Sequence, residues 1–423
     1  MSATKSFDNS LKKTKSVLLL AGIKVHKTKS RSIVDVFVEN CLFYFNCIWI
    51  YTDVSAELCW LIDGIRTGKS VLELSSIGPC ITICLTSTAK SLTFYYHCDT
   101  VTKIVDKLRE IHPESKAHEE IEMENLTNNV DGTNDATNER LDEVEEKIVK
   151  ESLTLLNIVV SVLFYSTASV AIIFSLLPIS VMAFKYFKTG ELDIVFPFYA
   201  NYFFDPFTNL RWPLVYIHQV WSTVLTIASF CGPDTFFYAF CMFIKMHFRI
   251  LCHRFETTTF PLRSQNGELG KIKFYKLIKR HQELLDLVNE VQVLYSSSTL
   301  FNIVTSSFII CLNGFNVTAN LSDASVVIKF LAFLESSTSQ IFILCYFGDM
   351  LVSSSSQVTE AIYNCNWYDA DKSDKQNILL VLMRAQKPCK LSAASFTDLN
   401  LNTFASIMSR SYSYFALLQT AME

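Results

Sequence analysis

The polar side chains with the clearest chemical potential lie inside long apolar stretches of this chain. The last stretch carries a stripe with four- and three-residue spacing, the period of one helix face, which consists of Thr403, Ile407, Arg410, Tyr414, Leu417 and Ala421. Polar groups are costly in hydrocarbon, so a helix that met only lipid would not keep them. The stripe fits a helix that lines a water-filled path and narrows at an apolar constriction that closes by dewetting. The alternative is a buried helix seam without conduction.

Three further ionisable residues lie within apolar stretches. Glu335 is followed by four hydroxyl-bearing residues, 336–339. It is either a coupling-ion ligand of a transporter or an acid stabilised by those hydroxyls, and the second interpretation is slightly favoured. Lys329 can extend its ammonium group to the membrane surface. His218 is either a ligand-binding or proton-relay residue or, more simply, a hydrogen-bonded packing residue.

Signatures of enzymes are missing from the sequence. No glycine-rich phosphate loop, zinc-protease motif or serine nucleophile elbow occurs in a fitting context. The 13 cysteines lack metal or disulfide spacing and are expected to be small packing residues. We therefore expect no enzyme activity, no catalytic residue, no metal, no cofactor and no nucleic-acid partner.

The elements that hold these residues are predicted to be membrane-spanning helices. The chain is 50% hydrophobic and only 18% charged, with 33 Phe among 423 residues, which is less charge than a soluble protein normally carries. Each of seven apolar runs is long enough to cross the hydrocarbon core as a helix. These runs cover 33–52, 71–96, 154–184, 214–244, 284–315, 325–348 and 396–420. The fold class is thus an all-α membrane protein with seven transmembrane helices.

The distribution of basic residues predicts the orientation. The N-terminal tail and every second gap hold 29 Lys and Arg, whereas the alternate gaps hold 5. Basic residues favour the cytoplasmic side, so the N-terminus is expected to be cytoplasmic and the C-terminus extracellular. This orientation is opposite to that of a G-protein-coupled receptor.

Amphipathic stretches at 101–111, 351–366 and 373–386 predict cytoplasmic helix extensions that form an anchor layer.

Motifs in the last 140 residues resemble those of the insect odorant receptor family. They are residues 340–348 (QIFILCYFG), Ala361, Tyr363, Trp367, residues 384–388 (RAQKP), Phe404 and residues 411–415 (SYSYF), preceded by a helix start at His281 with Leu284, Leu285 and Val288. The inverted seven-helix topology and the aromatic, proline-rich loop at 192–213 fit the same family. That loop either folds back as a lid or lies at the membrane interface as an aromatic belt. The acidic insertion at 113–140 is longer than the family pattern.

The resemblance implies an odorant-gated, non-selective cation channel in the plasma membrane of olfactory sensory neurons. It would be a heterotetramer of an odour-tuning subunit and a shared co-receptor, in contact with membrane lipid. The short segment between the fourth and fifth helices indicates the tuning subunit. The seventh helix would surround the pore, with the gate at Leu417 and Ala421. The small volatile odorant would bind in the outer half, where matching by depth suggests Cys80, Ile83, Cys84, Ser169, Ile173, His218, Trp221, Phe301, Thr305 and Phe333.

The resulting division of the chain is a cytoplasmic segment (1–32), six helices with the pocket (33–348), a disordered insertion (113–140), anchor helices (349–395) and the pore helix (396–423). Asn316 and Asn320 are candidate glycosylation sites in an outside loop.

The alternatives to an odorant-gated channel subunit are a gustatory receptor-type channel, a G-protein-coupled receptor and a secondary transporter. The SYSYF ending disfavours the first, the orientation the second, and the missing internal repeat the third.

Overall fold

The computed structural model describes residues 4–25, 33–112, 143–208, 210–258 and 267–420. Over these residues the fold consists of long α-helices, one 3-10 turn (Trp367–Asp369) and one small hairpin. The helices are α1 (Thr4–Leu20), α2 (Ile33–Arg66), α3 (Val71–Ser75), α4 (Gly78–Tyr96), α5 (Cys98–Ile111), α6 (Glu143–Thr189), α7 (Trp212–Glu256), α8 (Gly267–Ala319), α9 (Ala324–Asn364), α10 (Lys372–Ala385) and α11 (Leu401–Thr420). The predicted acidic insertion at 113–140 lies outside the described residues.

Helix α7 lies at the centre of the bundle. Its sequence is apolar on all sides, which is typical of a helix surrounded by protein, and Phe236, Phe237, Tyr238 and Phe240 are fully buried. Helices α1, α4, α6, α8 and α9 all pack against it. Leu18 of α1 is buried against Gly232, so the N-terminal apolar segment packs beneath the bundle.

Five stretches of helix are long and apolar enough to cross a membrane. They are Val71–Tyr96, Glu143–Thr189, Trp212–Glu256, Ile272–Ala319 and Ala324–Asn364. Helices α2 and α11, the first and last of the seven predicted spans, are not among these five stretches of the described residues. The sequence of α2 includes five acids, and α11 is interrupted by Ser, Asn, Gln and Arg. Both nevertheless pack against the other helices of the bundle.

Most helices are longer than the apolar runs that predicted them. Helix α8 has 53 residues, or roughly 80 Å of helix, more than twice the ~30 Å hydrocarbon core. Helix α9 continues past the predicted boundary at residue 348, so the first predicted anchor helix is its extension, and the second is α10. Helix α5 is the predicted amphipathic segment, and it buries Val101, Ile104, Val105 and Leu108. An ion pair between Glu145 and Arg254, at 2.6 Å, joins α6 to α7.

A short antiparallel hairpin precedes the last helix. Strand β1 (Ser392–Ala393) pairs with β2 (Thr397–Asp398). Ala394 and Ser395 form its turn with φ of 48° and 58°. The hairpin occupies residues that the apolar pattern assigned to the seventh span, so α11 begins at Leu401 and not at residue 396. Leu399, just before α11, lies directly against Gly348 of α9.

Candidate functional site

A cavity lies in the bundle where α2, α4, α6, α7 and α9 meet. Its internal volume is about 60 Å³, which is room for a few waters or a small organic molecule. Most of its wall is apolar, as in small-molecule sites generally. The lining residues are Ile50, Asp53, Val54, Glu57, Cys80, Ile83, Cys84, Thr167, Val170, Phe174, Phe198, Ser222, Thr223, Thr226, Ile227, Phe230, Cys231, Phe333, Ser336 and Ser337.

The structure brings four of the ten sequence-predicted pocket residues to this cavity. They are Cys80, Ile83, Cys84 and Phe333. Trp221 and Phe301 are 43% and 40% exposed on the bundle surface, and Ser169 is exposed and Ile173 half-buried on α6. Thr305 is buried and accepts a hydrogen bond from Thr86 at 3.0 Å. His218 lies beside the cavity, behind Asp53.

The aromatic loop between α6 and α7 closes one side of the cavity. Phe198 stacks on Phe174 with ring centroids 5.3 Å apart. The Phe198 backbone N–H donates to Gln219 Oε1 at 3.2 Å, and Gln219 Nε2 donates to the Tyr202 hydroxyl at 3.1 Å. Of the two interpretations left open by the sequence, this part of the loop therefore follows the one in which it folds back over the bundle.

Two acids of α2 form the polar end of the cavity. Asp53 accepts a hydrogen bond from the Tyr202 hydroxyl at 3.2 Å, and His218 Nδ1 lies 3.9 Å from the same Oδ1. Glu57, one turn further along α2, is 3% exposed, and its Oε2 has no hydrogen-bond partner among the described residues. Hydropathy does not reveal either acid, because both lie beyond residue 52, where the first apolar run ends. The sequence signal that points to them is their spacing of four residues, which places both acids on one face of a helix.

A buried ion pair lies next to the cavity. Lys90 of α4 donates to Asp234 Oδ2 of α7 at 2.8 Å, and Gln340 Nε2 of α9 donates to the same oxygen at 2.7 Å. The Lys90 ammonium is also 3.8 Å from the ring centroid of Phe230, which lines the cavity. The wall of the cavity is thus attached to a charged network that joins three helices.

Glu335 and Lys329 of α9 lie outside the lining of the cavity. Glu335 accepts hydrogen bonds from Ser166 at 3.1 Å and from Ser339 at 3.0 Å, which is the hydroxyl-stabilised arrangement. The Lys329 ammonium is 5.7 Å from the ring centroid of Phe174.

Helix α11 exposes most of the predicted pore stripe. Arg410, Tyr414 and Leu417 are exposed, with Leu417 at 70%, and Thr403 is half-buried. Ile407 is only 3% exposed and packs against the chain's own core, because it lies on the side of α11 that faces α8 and α9. Ala421 lies outside the described residues.

The candidate glycosylation asparagines are both engaged by the fold. Helix α8 extends to Ala319, so Asn316 belongs to its last turn and not to the loop. Its side chain is 0% exposed and donates to the Leu312 carbonyl at 2.8 Å. Asn320 lies in the following turn and donates to the Asn316 carbonyl at 2.9 Å. Glycosylation at these positions stays a prediction, with Asn320 the more accessible.

This chain is similar in sequence to known odorant receptors over most of its length. A family model described as 7tm Odorant receptor matches residues 122–412. The chain is 25% identical over 374 residues to putative odorant receptor 92a of Drosophila melanogaster, covering 87% of this chain and 84% of that protein. It is 28% identical over 372 residues to odorant receptor 67c of the same species, with the same two coverages.

A solved structure has the same fold. The insect olfactory receptor OR5 from Machilis hrabei, in complex with eugenol, superposes with a TM-score of 0.76 at 16% identity, covering 98% of this chain and 99% of that one. The structure of the same receptor described without eugenol gives a TM-score of 0.76 at 17% identity.

Proposed function

This chain belongs to the 7tm odorant receptor family, an all-α membrane fold of seven transmembrane helices, and we propose that it is the odour-tuning subunit of an odorant-gated, non-selective cation channel. The proposed channel is a heterotetramer with a shared co-receptor in the plasma membrane of olfactory sensory neurons. The proposed ligand is a small volatile molecule that enters the cavity between α2, α4, α6, α7 and α9.

The exposed polar face of α11 carries the channel proposal. The helix has 20 residues, about 30 Å, which matches the hydrocarbon core. Its exposed positions include Asn402, Ser406, Ser409, Arg410 and Ser413. Such groups are expensive against lipid, so this face needs water or a partner subunit. A central pore formed by the α11 helices of several subunits supplies both.

The proposed assignment of regions follows the helices. The bundle from 33 to 348 holds the ligand pocket, 349–395 belongs to the cytoplasmic anchor layer, and 396–423 holds the pore-lining helix. The N-terminal segment, 1–32, lies on the cytoplasmic side and the C-terminus outside, as the distribution of basic residues indicates.

The tuning role is supported by the connection between α7 and α8. Only ten residues separate Glu256 from Gly267, whereas the co-receptor of this family is distinguished by a much longer cytoplasmic insertion there. A chain without that insertion is expected to depend on a co-receptor for assembly and conduction.

The test is a recording of membrane current during application of an odorant panel. Cells that express this chain with the co-receptor should pass cations within a fraction of a second of odorant, without added nucleotide or G protein. Cells with either subunit alone are the controls. Robust odorant currents from this chain alone would contradict the heteromer, and no current from the pair at normal surface expression would contradict the channel.

An epitope tag after Met1 tests the orientation in the same cells. Antibody should reach this tag only after permeabilisation, and surface labelling of intact cells would contradict the cytoplasmic N-terminus.

A further inference from the structure

The polar end of the cavity is acidic, and we propose that the ligand class of this receptor is a small alkyl amine whose ammonium group is bound by Asp53 and Glu57. This inference rests on the proposed function for the place of the odorant site. It adds the chemical class of the odorant and the two residues that select it.

The two acids are placed to act on one ligand. Residues four apart lie on the same face of a helix, and both Asp53 and Glu57 line the cavity from α2. Their side chains are withdrawn from solvent, with exposures of 6% for Asp53 and 3% for Glu57. A ligand in the cavity therefore meets two carboxyl groups at one end of its volume.

The hydrogen bonding of this acidic end is incomplete. Asp53 accepts from the Tyr202 hydroxyl. Glu57 Oε2 is buried and has no hydrogen-bond partner in the part of the chain that the structure describes. A buried acceptor without a donor is unfavourable. A ligand with several N–H donors would satisfy it.

Neither acid forms an ion pair with a lysine or arginine of the described residues. The nearest basic nitrogen to Asp53 is His218 Nδ1, at 3.9 Å, and that ring already meets Thr52 through Nε2 at 2.9 Å. Lys329 is placed over Phe174 and makes no ion pair with either acid within the described residues. Buried carboxylates are normally paired. A neutral alcohol would supply one donor but no charge, whereas an ammonium group supplies both.

The rest of the cavity suits an alkyl body. Ile50, Val54, Phe174 and Phe333 contribute apolar surface beside the acids, and the small volume limits the ligand to a short chain. The neutral amine is the volatile form. In neutral water its nitrogen takes up a proton, and the resulting ammonium ion forms an ammonium–carboxylate pair with the two acids.

A pair of probes of the same shape tests the proposal. Binding of 3-methylbutylamine and of 3-methylbutan-1-ol to the purified complex with the co-receptor is measured by isothermal titration, and the currents that each elicits are recorded in cells. The amine should bind at least about tenfold more tightly than the alcohol, because its donors are charged. Glu57→Gln and Asp53→Asn should each weaken amine binding by about tenfold and leave alcohol binding within about threefold.

Glu335→Gln is the matched control. Glu335 is also an acid of the bundle, but it bonds to Ser166 and Ser339 and does not line the cavity. Its replacement should leave both dissociation constants unchanged. An amine that binds no more tightly than the alcohol, or an amine preference that survives Glu57→Gln and Asp53→Asn, would overturn the proposed ligand class.

The two readouts separate this inference from the proposed function. Carboxyl-dependent amine binding without current from any odorant would support the ligand class and contradict the channel. Currents with other odorants, together with no preferential amine binding, would support the channel and contradict the ligand class.

Discussion

The imidazole ring of His112 is buried among aromatic rings. It is 1% exposed, neither ring nitrogen has a partner among the described residues, and its ring centroid lies 5.6 Å from that of Phe7 and 6.1 Å from that of Phe243. Burial lowers the pKa of His112 from 6.5 to about 4. Between these values the unfolded chain binds a proton that the folded chain does not, so the stability of the fold decreases as pH falls from about 6.5 to about 4.

We expect His112→Phe to reduce this acid sensitivity. The variant keeps an aromatic ring in the same place and removes the proton-binding site. At pH 5 the wild-type histidine costs on the order of 2 kcal/mol of unfolding free energy, so the variant should gain thermal stability at pH 5 relative to pH 7.5. His97 is exposed, and His97→Gln is the control that should change nothing. Equal pH dependence in wild type and His112→Phe would contradict the prediction.

Residue types alone could not identify which polar groups meet. Cys80 and Cys84 are among the pocket residues suggested by depth, and the structure places both on the cavity. Asp53 and Glu57 lie beyond the first apolar run because hydropathy falls where acids occur, although helix α2 continues through them. The partner of Lys90 was equally hidden, since Asp234 is 144 positions away and only packing brings them together.

At the scale of elements, helix ends were harder to predict than helices. Hydropathy marks the part of a helix that crosses hydrocarbon, but α2, α6, α8 and α9 continue into layers where polar residues are acceptable. The start of α11 was misplaced by five residues because the hairpin is only two residues wide on each side and carries Phe396. The apolar runs predict the order of the helices, and tertiary contacts determine where the helices end.

The contact between α9 and the segment before α11 depends on Gly348. A Cβ at this position would overlap the Leu399 carbonyl oxygen and lie 2.7 Å from Leu399 Cβ. Gly348→Ala should therefore displace the start of α11, and we expect a loss of surface expression or of odorant current by at least half. The measurement is surface labelling together with current in the same cells.

Gly314 provides the matched control for that prediction. It lies on α8 facing α11, and a Cβ there would be 3.7 Å from the Phe415 ring, an ordinary contact. Gly314→Ala should be tolerated, since alanine also favours helix relative to glycine. If the two alanine variants behave alike, close approach at Gly348 does not position α11.

At the scale of the whole molecule, exposure distinguishes lipid-facing from partner-facing surfaces. Helix α6 exposes apolar residues such as Phe164, Ile172 and Leu176, which suit a lipid environment. Helix α11 instead exposes polar residues such as Asn402, Ser406 and Ser409. This contrast is what an isolated subunit of an oligomer should show if its α11 faces a shared axis.

Leu417 is where we expect the closed pore to be narrowest. It is 70% exposed on α11, one turn beyond Tyr414 on the same stripe. In the assembled channel it would face the matching residues of the other subunits. A ring of apolar side chains expels water, so an ion there meets a desolvation barrier on the order of several kcal/mol. Leu417→Asn should keep water in the constriction and raise the current measured without odorant.

Leu418 is the control for this gate prediction because it is half-buried on the packing side of the same helix. Leu418→Asn should reduce surface expression and leave the resting current per surface channel unchanged. In the proposed heterotetramer the co-receptor contributes the other residues of the ring, so the effect of Leu417→Asn should be partial and should grow with the number of substituted subunits. Resting current, ion selectivity and odorant sensitivity that all match wild type at equal surface expression would show that Leu417 is not part of the gate.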